Sequence, residues 1–441
     1  MYTDTTIKMK KTLLILIFVL NLVIIFALWW SGSGYLLTKT TADIYIAIGR
    51  LAGLLVQLFL LTELVLIGRI AFIEKIWGFD SLNRLHRYIG YSIFATIIAH
   101  PLFLSLGYSQ RLQINITTQF INFLTQWEDV LPAFFGVLLL AIVVVFSLAF
   151  VRKNIKYESW HLFHLLAYIA IALALAHQFM GGDLIGAWAA LGYWYVLTIA
   201  VFGFLILYRF LKPFFLVYKH QFRIAKIIKE SDLIYSIYIS GKNIEKFFYQ
   251  AGQYANIFFL ARGFLQPHPF SFSSAPNTRF VRITIKTLGD FTNKIKNLKE
   301  GTWVIIDGPL GKFTTASARK QKHLLIAGGI GITPIRALLE EFKKENKDVV
   351  LLYGNRTMDD IIFEKELEAL GVPRTHILST QKQDPHEYGY IDKEKIERLI
   401  PDFKERDVFV CGPQPMMDLV EKILLQLGVP QNQIHIEKFG M

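Results

Sequence analysis

Six long apolar runs in the first half of this 441-residue chain constrain its fold more than any other feature. Each run holds roughly 20 mostly apolar residues, the length of helix that crosses a hydrocarbon layer of ~30 Å. The runs cover residues 12–30, 43–70, 87–106, 131–150, 161–179 and 188–210. They exclude a wholly soluble protein and predict a bundle of six membrane-spanning helices. Lysines precede the first run as in a signal peptide, but the run is long and ends in Trp29-Trp30 without a small-residue cleavage site, which favours an uncleaved span.

The net charge of +12 comes mainly from basic residues on alternate sides of these runs. Lysines and arginines cluster before the first run, between the second and third, between the fourth and fifth, and after the sixth. We therefore expect a multi-pass plasma-membrane protein, and the positive-inside rule predicts that both termini lie in the cytoplasm. Membrane topology explains the basic charge, so we expect membrane lipid and no nucleic acid among the partners. The single cysteine, Cys411, excludes an internal disulfide and any four-cysteine site for zinc or an iron–sulfur cluster.

Two of the apolar runs carry histidines at two membrane depths. Such residues are costly in a membrane and are functional candidates. His86 and His100 are 14 residues apart, which is ~21 Å on one face of a helix. His164 and His177 are separated by ~19.5 Å, whereas His161 lies ~24 Å from His177 and matches less well. The 13-residue spacing places the rings of His164 and His177 on different faces of a straight helix, so it predicts a bend or altered winding.

Facing imidazoles at two levels favour bis-histidine binding of two stacked b-type haems. Zinc fits less well because it usually needs four crowded ligands, and no C-x-x-C-H motif for covalent haem attachment is present. A single histidine of this kind could instead bond to a neighbouring helix. Arg50 and Arg69 lie near opposite ends of the second run. Each is either an interfacial arginine that reaches the membrane surface or a partner for a haem propionate at its level.

The second half of the chain has the pattern of a soluble protein. From about residue 218, short alternating segments such as "LIYSIYIS", "YANIFFL" and "FVRITIKTL" predict a small antiparallel barrel. Buried runs followed by helical segments, such as "KHLLIAGGIGITPIRALLEEF" and "DVFVCGPQPMMDLVEKIL", then predict a parallel α/β sheet.

A glycine-rich turn, "AGGIGITP", joins a predicted strand to a predicted helix. Gly328, Gly329 and Gly331 would let backbone N–H groups approach a pyrophosphate at the start of the helix, although the turn departs from G-x-G-x-x-G. Arg356 follows the next strand, where an arginine favours the 2′-phosphate of NADP. The alternative for Arg356 is a solvated surface residue.

Several motifs resemble known proteins. "HPFSFSSAP" (268–276), "KTLGDFT" (286–292), "GPLG" (308–311), "GGIGITP", "YGNR" and "CGPQPM" (411–416) resemble the ferredoxin-reductase module. The membrane half, with "HR…HP" and "YESWHLFH…H", is similar to the ferric-reductase transmembrane domain. Together they resemble the NADPH oxidase and ferric reductase superfamily in its compact bacterial form, over roughly residues 43–441.

The resemblance implies three domains: a six-helix transmembrane di-haem bundle (1–212), an antiparallel β-barrel for FAD (213–317) and a Rossmann-like α/β domain for NADPH (318–441). It implies His86 and His164 as ligands of an inner haem and His100 and His177 as ligands of an outer haem. Arg69 and Arg50 match family arginines near the inner and outer haems.

The implied FAD residues are His268, Pro269, Phe270, Ser271, Phe272, Ser273, Ser274, Lys286, Thr287, Gly289 and Thr292. The implied NADPH residues are Gly328, Gly329, Gly331, Thr333, Pro334, Arg356, Cys411, Gly412 and Pro413. Cys411 would position the nicotinamide rather than act as a nucleophile, and Phe439 would stack on the flavin.

These parts imply an electron path from cytoplasmic NADPH through FAD and two haems to an external acceptor, with the flavin converting a hydride into single electrons. Oxygen, reduced to superoxide beside the cation of Arg50, is the favoured acceptor. A ferric chelate is the alternative within the same class. A membrane subunit that supplies electrons to a partner protein is a different class, and the short outer loop at 107–130 weighs against it. A non-enzymatic transporter would leave the flavin and dinucleotide motifs unused. Nothing in the sequence indicates an oligomeric state.

Overall fold

The structure is a computed structural model that describes residues 4–68, 70–148, 154–155, 157–180, 184, 187–264, 266–277 and 279–437. These residues fall into two compact units. The bundle unit contains residues 4–70 and 81–207, and the sheet unit contains residues 71–80 and 208–441.

The predicted six spans are confirmed in the described residues. Six helices are long and apolar enough to cross a membrane: Lys8–Thr38, Thr41–Ile67, Ser81–Leu112, Val130–Ser147, Ser159–Phe179 and Trp188–His220. By hydrogen-bonding pattern the helices of this half are α1 (Asp4–Ser33), α2 (Thr41–Ile67), α3 (Ala71–Trp77), α4 (Phe79–Leu112), α5 (Ile116–Gln126), α6 (Val130–Ser147), α7 (Tyr157–Phe179) and α8 (Trp188–Leu205). Half of the most apolar window of α2 is buried, against 28% or less for the other five spans, so α2 is the central helix.

The ends and the winding of these helices follow local sequence. Thr40 and Asp43 form a capping box that begins α2, in which each side chain accepts from the backbone N–H of the other. Helix α7 is α-helical throughout, so the altered winding predicted from the histidine spacing is absent from it. Winding changes instead at Ile206–Leu211, a π-helical turn after α8. The loop at 107–130 contains a helix that the sequence analysis did not predict, α5, which Asn115 caps.

The predicted antiparallel barrel is present in the sheet unit. Its strands are β1 (Arg223–Ser231), β2 (Ile234–Ser240), β3 (Tyr254–Phe259), β4 (His268–Ser271), β5 (Val281–Lys286) and β6 (Val304–Leu310), and α9 (Lys212–His220) precedes them. They form two three-stranded antiparallel sheets, ordered β1-β2-β5 and β4-β3-β6. Isolated bridges between Arg223 and Trp303 and between Phe272 and Ile283 join the two sheets. An apolar core that includes Phe222, Phe259 and Phe272 fills the space between them.

The predicted parallel sheet is also confirmed. Its six strands are β7 (Lys322–Gly328), β8 (Asp348–Asn355), β9 (Arg374–Leu378), β10 (Glu387–Tyr388), β11 (Asp407–Cys411) and β12 (Ile434–Ile436). Their order is β10-β9-β8-β7-β11-β12, and every pairing is parallel. The accompanying helices are α10 (Ile332–Lys344), α11 (Glu364–Ala369), α12 (Lys393–Leu399) and α13 (Gln414–Gln426). Because the strands are parallel, the loops after β7, β8 and β11 meet at one edge, where ligands of such sheets bind.

Helix α3 lies between two spans and belongs to the sheet unit. Its Glu74 is 1% exposed. The carboxylate accepts hydrogen bonds from the Tyr254 hydroxyl at 2.6 Å and from the Gly311 N–H at 3.1 Å. Since the buried charge is satisfied by β3 and by the turn after β6, α3 is an integral part of the barrel rather than a free loop.

Candidate functional site

The four membrane histidines that the sequence singled out meet in two pairs. The ring centroids of His86 on α4 and His164 on α7 are 5.9 Å apart. Those of His100 and His177, on the same two helices, are 6.0 Å apart. The ring that reaches His86 is that of His164, as the sequence spacing favoured. The indole of Trp160 stacks on the His164 ring at 5.0 Å.

All four rings use the same nitrogen, Nδ1, for a local contact. The Nδ1 atoms of His86 and His177 meet the carboxylates of Glu63 and Asp129, the second at 2.7 Å. Nδ1 of His100 donates to the Gly49 carbonyl at 2.8 Å, and Nδ1 of His164 lies 3.3 Å from the Ser147 hydroxyl. Glycine at position 53 leaves room for the His100 ring, because a Cβ there would come within 2.7 Å of it. Each contact leaves Nε2 as the ring nitrogen for a ligand.

The distances between the paired rings fit a metal ion held between them. A metal bound at about 2.0–2.1 Å by Nε2 of both rings would separate the ring centroids by roughly 6.3 Å. The observed 5.9 and 6.0 Å are close to this value. Among the described residues, no group of three or more His, Cys, Asp or Glu side chains is arranged to hold a metal ion. Two imidazoles at each level would suit haem, because the porphyrin supplies the other nitrogens of the iron.

The two arginines of the second run have different outcomes. The guanidinium of Arg50 donates to the Ser33 hydroxyl of α1 at 3.2 Å. Arg50 directly follows Gly49, whose carbonyl accepts from His100. Arg69 lies outside the described residues. Phe439, the aromatic residue expected on the flavin, also lies outside them.

Sequence reasoning missed the two carboxylates beside the histidines. Glu63 is 7% exposed and lies within α2, and Asp129 immediately precedes α6. The available signal was simple. Each is an acidic residue inside or next to an apolar run, where an ionisable group is by default a functional candidate.

The segment "HPFSFSS" divides between a surface and the barrel core. His268 stacks on Phe291, with ring centroids 3.6 Å apart and planes 17° apart. Phe272 is fully buried in the core, so its side chain packs inside the barrel, and its contact with FAD stays a prediction. Ser273 is also fully buried, and its hydroxyl bonds to the Thr284 hydroxyl at 2.8 Å. The buried Tyr249 donates to the Ser274 carbonyl at 3.2 Å, and burial raises its pKa to about 12.

The second barrel motif, "KTLGDFT", forms a tight turn. The Thr292 hydroxyl accepts from the N–H groups of Leu288 and Gly289 at 2.9 and 3.0 Å. A Cβ on Gly289 would meet nothing within 4 Å, so the turn faces open space. Thr287 bonds to the Leu233 carbonyl, and Lys286 lies 3.9 Å from Asp360 of the parallel-sheet region.

The glycines of "GGIGITP" have two different roles. A Cβ on Gly331 would lie 2.3 Å from the Cys411 carbonyl oxygen, and one on Gly328 would lie 2.4 Å from the Met416 sulfur. These two glycines therefore let the loops after β7 and β11 pack together. Gly329 has φ of +49° and open space around it, so it is the glycine that leaves room for a ligand. Thr333 is buried and donates to the Ile330 carbonyl at 3.0 Å, which stabilises the turn.

Cys411 is the last residue of β11, and Arg356 directly follows β8. Cys411 is 1% exposed, and burial raises the pKa of its thiol strongly, which is inconsistent with a nucleophilic thiolate. The side chain of Arg356 is 72% exposed, and its Nε lies 3.8 Å from Asp360. Arg356 is thus both held near the sheet edge and accessible.

A buried ion network that sequence reasoning did not detect joins the barrel to the parallel-sheet region. Arg282 of β5 donates to both oxygens of Glu366 in α11, at 2.7 and 3.0 Å, and to the Ser273 carbonyl at 2.6 Å. Arg336 of α10 contacts Glu366 at 2.7 Å and also pairs with Glu340. Burial opposes ionisation of Glu366, but the hydrogen bond and the charge of Arg282 outweigh it and lower its pKa. The network fixes the two regions against each other.

Family comparisons cover all three regions of the chain. Residues 48–175 match the family described as ferric reductase like transmembrane component. Residues 220–314 match an FAD-binding domain family, and residues 325–422 match the oxidoreductase NAD-binding domain family. These are the domains of an oxidoreductase that binds FAD and uses NAD(P)H, placed in a multi-pass membrane protein.

Individual relatives match half of the chain. The glycine betaine monooxygenase reductase subunit of Chromohalobacter salexigens is 30% identical over 50% of this chain and 64% of its own length. A flavohemoprotein of Oceanobacillus iheyensis is 28% identical over 50% of this chain and 59% of its own. The chain thus spans less than two thirds of the length of these relatives. The FAD/NAD-binding domain of a nitric oxide dioxygenase from Vibrio cholerae aligns with a TM-score of 0.44 and 27% identity, over 50% of this chain and 98% of that domain.

The order of the three matched regions decides the assignment. A ferric-reductase-like membrane component followed by an FAD-binding and an NAD-binding domain is found in transmembrane oxidoreductases that transfer electrons. The chain therefore has the domain architecture of the NADPH oxidase and ferric reductase superfamily.

Proposed function

We propose that this protein carries electrons from cytoplasmic NADPH through FAD and two b-type haems to oxygen on the other side of the membrane, where superoxide forms. The observation that carries the proposal is the meeting of two imidazole pairs, 5.9 and 6.0 Å apart, in a chain with FAD-binding and NAD-binding domains. NADPH supplies two electrons and each superoxide takes one, so two superoxide ions form for each NADPH.

The proposed haem ligands are Nε2 atoms of the four paired histidines. His86 and His164 would hold the inner haem, and His100 and His177 the outer haem. The support is that Nδ1 of every ring is already turned to a protein partner, which fixes the ring and leaves Nε2 for iron. Bound there, haem supplies a centre that carries one electron at a time.

The proposed FAD surface is the barrel face with His268 and the open turn at Gly289. The other proposed FAD residues are Pro269, Phe270, Ser271, Phe272, Ser273, Ser274, Lys286, Thr287 and Thr292. FAD supplies the conversion of a hydride into single electrons. The proposed NADPH edge is formed by Gly328, Gly329, Gly331, Thr333, Pro334, Gly412 and Pro413, with Cys411 as a positioning residue. Arg356 would pair with the 2′-phosphate, because it is accessible beside the ends of parallel strands.

We also propose the domain limits 1–212, 213–317 and 318–441, and a plasma-membrane protein with both termini in the cytoplasm. The distribution of lysines and arginines supports this orientation. NADPH is made and held in the cytoplasm, so the FAD and NADPH domains belong on that side.

Oxygen is proposed over a ferric chelate because of the charges at the outer end of the bundle. Arg50 follows Gly49, the residue that accepts from His100, and its cation would stabilise the negative charge that develops on superoxide. Arg111, near that end, already pairs with Asp43 at 3.9 Å. Oxygen needs only a small approach path, whereas a chelate needs a wide docking surface, which the few charged residues in the sequence of these loops do not indicate.

The test measures both acceptors with the purified protein and NADPH. We expect cytochrome c reduction in air that superoxide dismutase inhibits. Arg50→Ala should slow superoxide formation and leave NADPH-driven flavin reduction unchanged, whereas Arg111→Ala, the matched control, should leave both unchanged. No dismutase-sensitive signal in air, together with fast anaerobic reduction of ferric chelates, would show that the protein is a ferric reductase instead.

A further inference from the structure

Each proposed haem level contains one histidine that contacts a carboxylate and one that contacts a neutral group. At the inner level, His86 meets Glu63 and His164 meets the Ser147 hydroxyl. At the outer level, His177 meets Asp129 and His100 meets a backbone carbonyl. We propose that Glu63 and Asp129 are positioning residues that each set the reduction potential of one haem. The inference rests on the proposed haem binding.

Glu63 lies at a membrane position where a carboxylate is costly unless a specific polar group contacts it. It lies within a membrane-spanning helix, and its side chain is 9% exposed. Oε2 contacts Nδ1 of His86, while Oε1 is buried and has no hydrogen-bond partner among the described residues. Gly90, one turn after His86, lies beside Oε1, and a Cβ there would be in ordinary van der Waals contact with it at 3.6 Å. A buried, half-satisfied carboxylate is costly in a membrane, so its contact with His86 is a functional feature.

Asp129 contacts its histidine instead of making the helix-capping bond that is common at its position. It is the N-cap residue of α6, a position where aspartate usually accepts from the first backbone N–H groups of the helix. Here the side chain makes no capping bond. Its Oδ2 atom lies 2.7 Å from Nδ1 of His177 instead, and the side chain is 14% exposed. The two carboxylates come from different helices and different ends of the bundle, yet they make the same contact.

The contact has a direct chemical consequence for a metal bound at Nε2. A charged acceptor makes a stronger hydrogen bond to Nδ1–H than a hydroxyl or a carbonyl does. It therefore shifts electron density into the ring and makes the imidazole a better donor to the metal. A stronger donor stabilises ferric over ferrous iron, so each carboxylate lowers the potential at which its own haem gains one electron. Glu63 acts through His86 on the inner haem, and Asp129 acts through His177 on the outer haem.

The test is a potentiometric measurement on the purified full-length protein, followed by the haem absorbance. Glu63→Gln and Asp129→Asn keep the shape of each side chain but remove the charge of the acceptor. We expect each variant to retain two haems and to raise one of the two midpoint potentials while the other stays in place. Loss of such an outer contact typically lowers metal affinity by about tenfold or more. A tenfold loss of affinity for the ferric state alone would raise the midpoint potential by about 59 mV. The electron paramagnetic resonance signal of the same haem should also move.

A matched control separates this effect from a general disturbance of the bundle. Gln57 is a second buried polar residue of α2, 2% exposed, and Gln57→Leu should leave both potentials unchanged. The loss of one haem by either carboxylate variant would show that the carboxylate only holds that ligand in place, and it would overturn the claim that the carboxylate sets the potential. The loss of both haems, equal shifts of both potentials, or no shift in either variant would overturn it. Absence of haem from the unaltered protein would refute the proposed function itself, which is a separate result.

Discussion

The buried ion network between the barrel and the parallel-sheet region allows a quantitative prediction for Glu366→Gln. The change leaves the guanidinium of Arg282, whose side chain is 3% exposed, without its counter-charge. Breaking a buried pair by removing one partner costs about 3–5 kcal/mol. A third of the Glu366 side chain is exposed, which partly screens the charge, so we expect the lower end, about 3 kcal/mol.

This cost predicts a measurable shift in thermal unfolding. For a unit of this size, residues 208–441, each kcal/mol lowers the midpoint by about 2–4 °C. Glu366→Gln should therefore lower the midpoint of FAD release, followed by flavin fluorescence in the purified full-length protein, by about 6–12 °C. The matched control is Glu387→Gln, which removes a pair with Arg398, a side chain that is 58% exposed. Exposed pairs are worth at most about 1 kcal/mol, so the control should shift the midpoint by less than about 4 °C. Equal shifts in the two variants would refute the reasoning.

Two further predictions concern the parallel-sheet region. Arg356→Ala should raise the KM for NADPH far more than that for NADH, since a charge-assisted bond to the 2′-phosphate is worth about 1.5–3 kcal/mol; equal use of both nucleotides by the unaltered protein would sink this assignment. His323 is fully buried, and burial lowers its pKa to about 4. Between about pH 6.5 and 4 this histidine is protonated in the unfolded chain but not in the folded one. Its contribution to the free energy of unfolding is therefore complete above this window, and it falls by at most about 1.4 kcal/mol for each pH unit of acidification within it. His323→Leu should flatten the acid limb of a plot of unfolding midpoint against pH, and parallel plots for the two proteins would contradict this.

The sequence predicted those features that depend on local pattern. The length of the apolar runs was sufficient to predict the six spans. The alternation of apolar and polar residues was sufficient to predict strands such as β2 and β5. The histidine spacing also favoured His164, the ring that the structure brings to His86. In each case the signal repeats along a short stretch of chain, which is what periodicity detects.

The sequence analysis missed features that depend on contacts between distant segments. Glu74 sits in a segment between two spans, and only the fold shows that the barrel surrounds it. Phe272 belongs to a motif that resembles an FAD-binding sequence, but its bridge to Ile283 directs its side chain into the barrel core. The contact between Glu63 and His86 joins two helices, and the ion pair of Arg282 and Glu366 joins two regions of the sheet unit. The altered winding expected in α7 is absent for a related reason: the spacing of two side chains along one helix does not include the position of the helix that meets them. The alternative, a bend of α7, stays a prediction.

The number of haems bound by the purified full-length protein is the most direct test of the central claim that the four paired histidines hold two haems. We expect a low-spin b-type spectrum and about two haems per chain in a pyridine haemochrome assay. His164→Ala should lose one haem and retain the other, whereas the neighbouring substitution His161→Ala should retain both. A chain that binds one haem or none, or a His164→Ala variant that keeps both, would contradict the account.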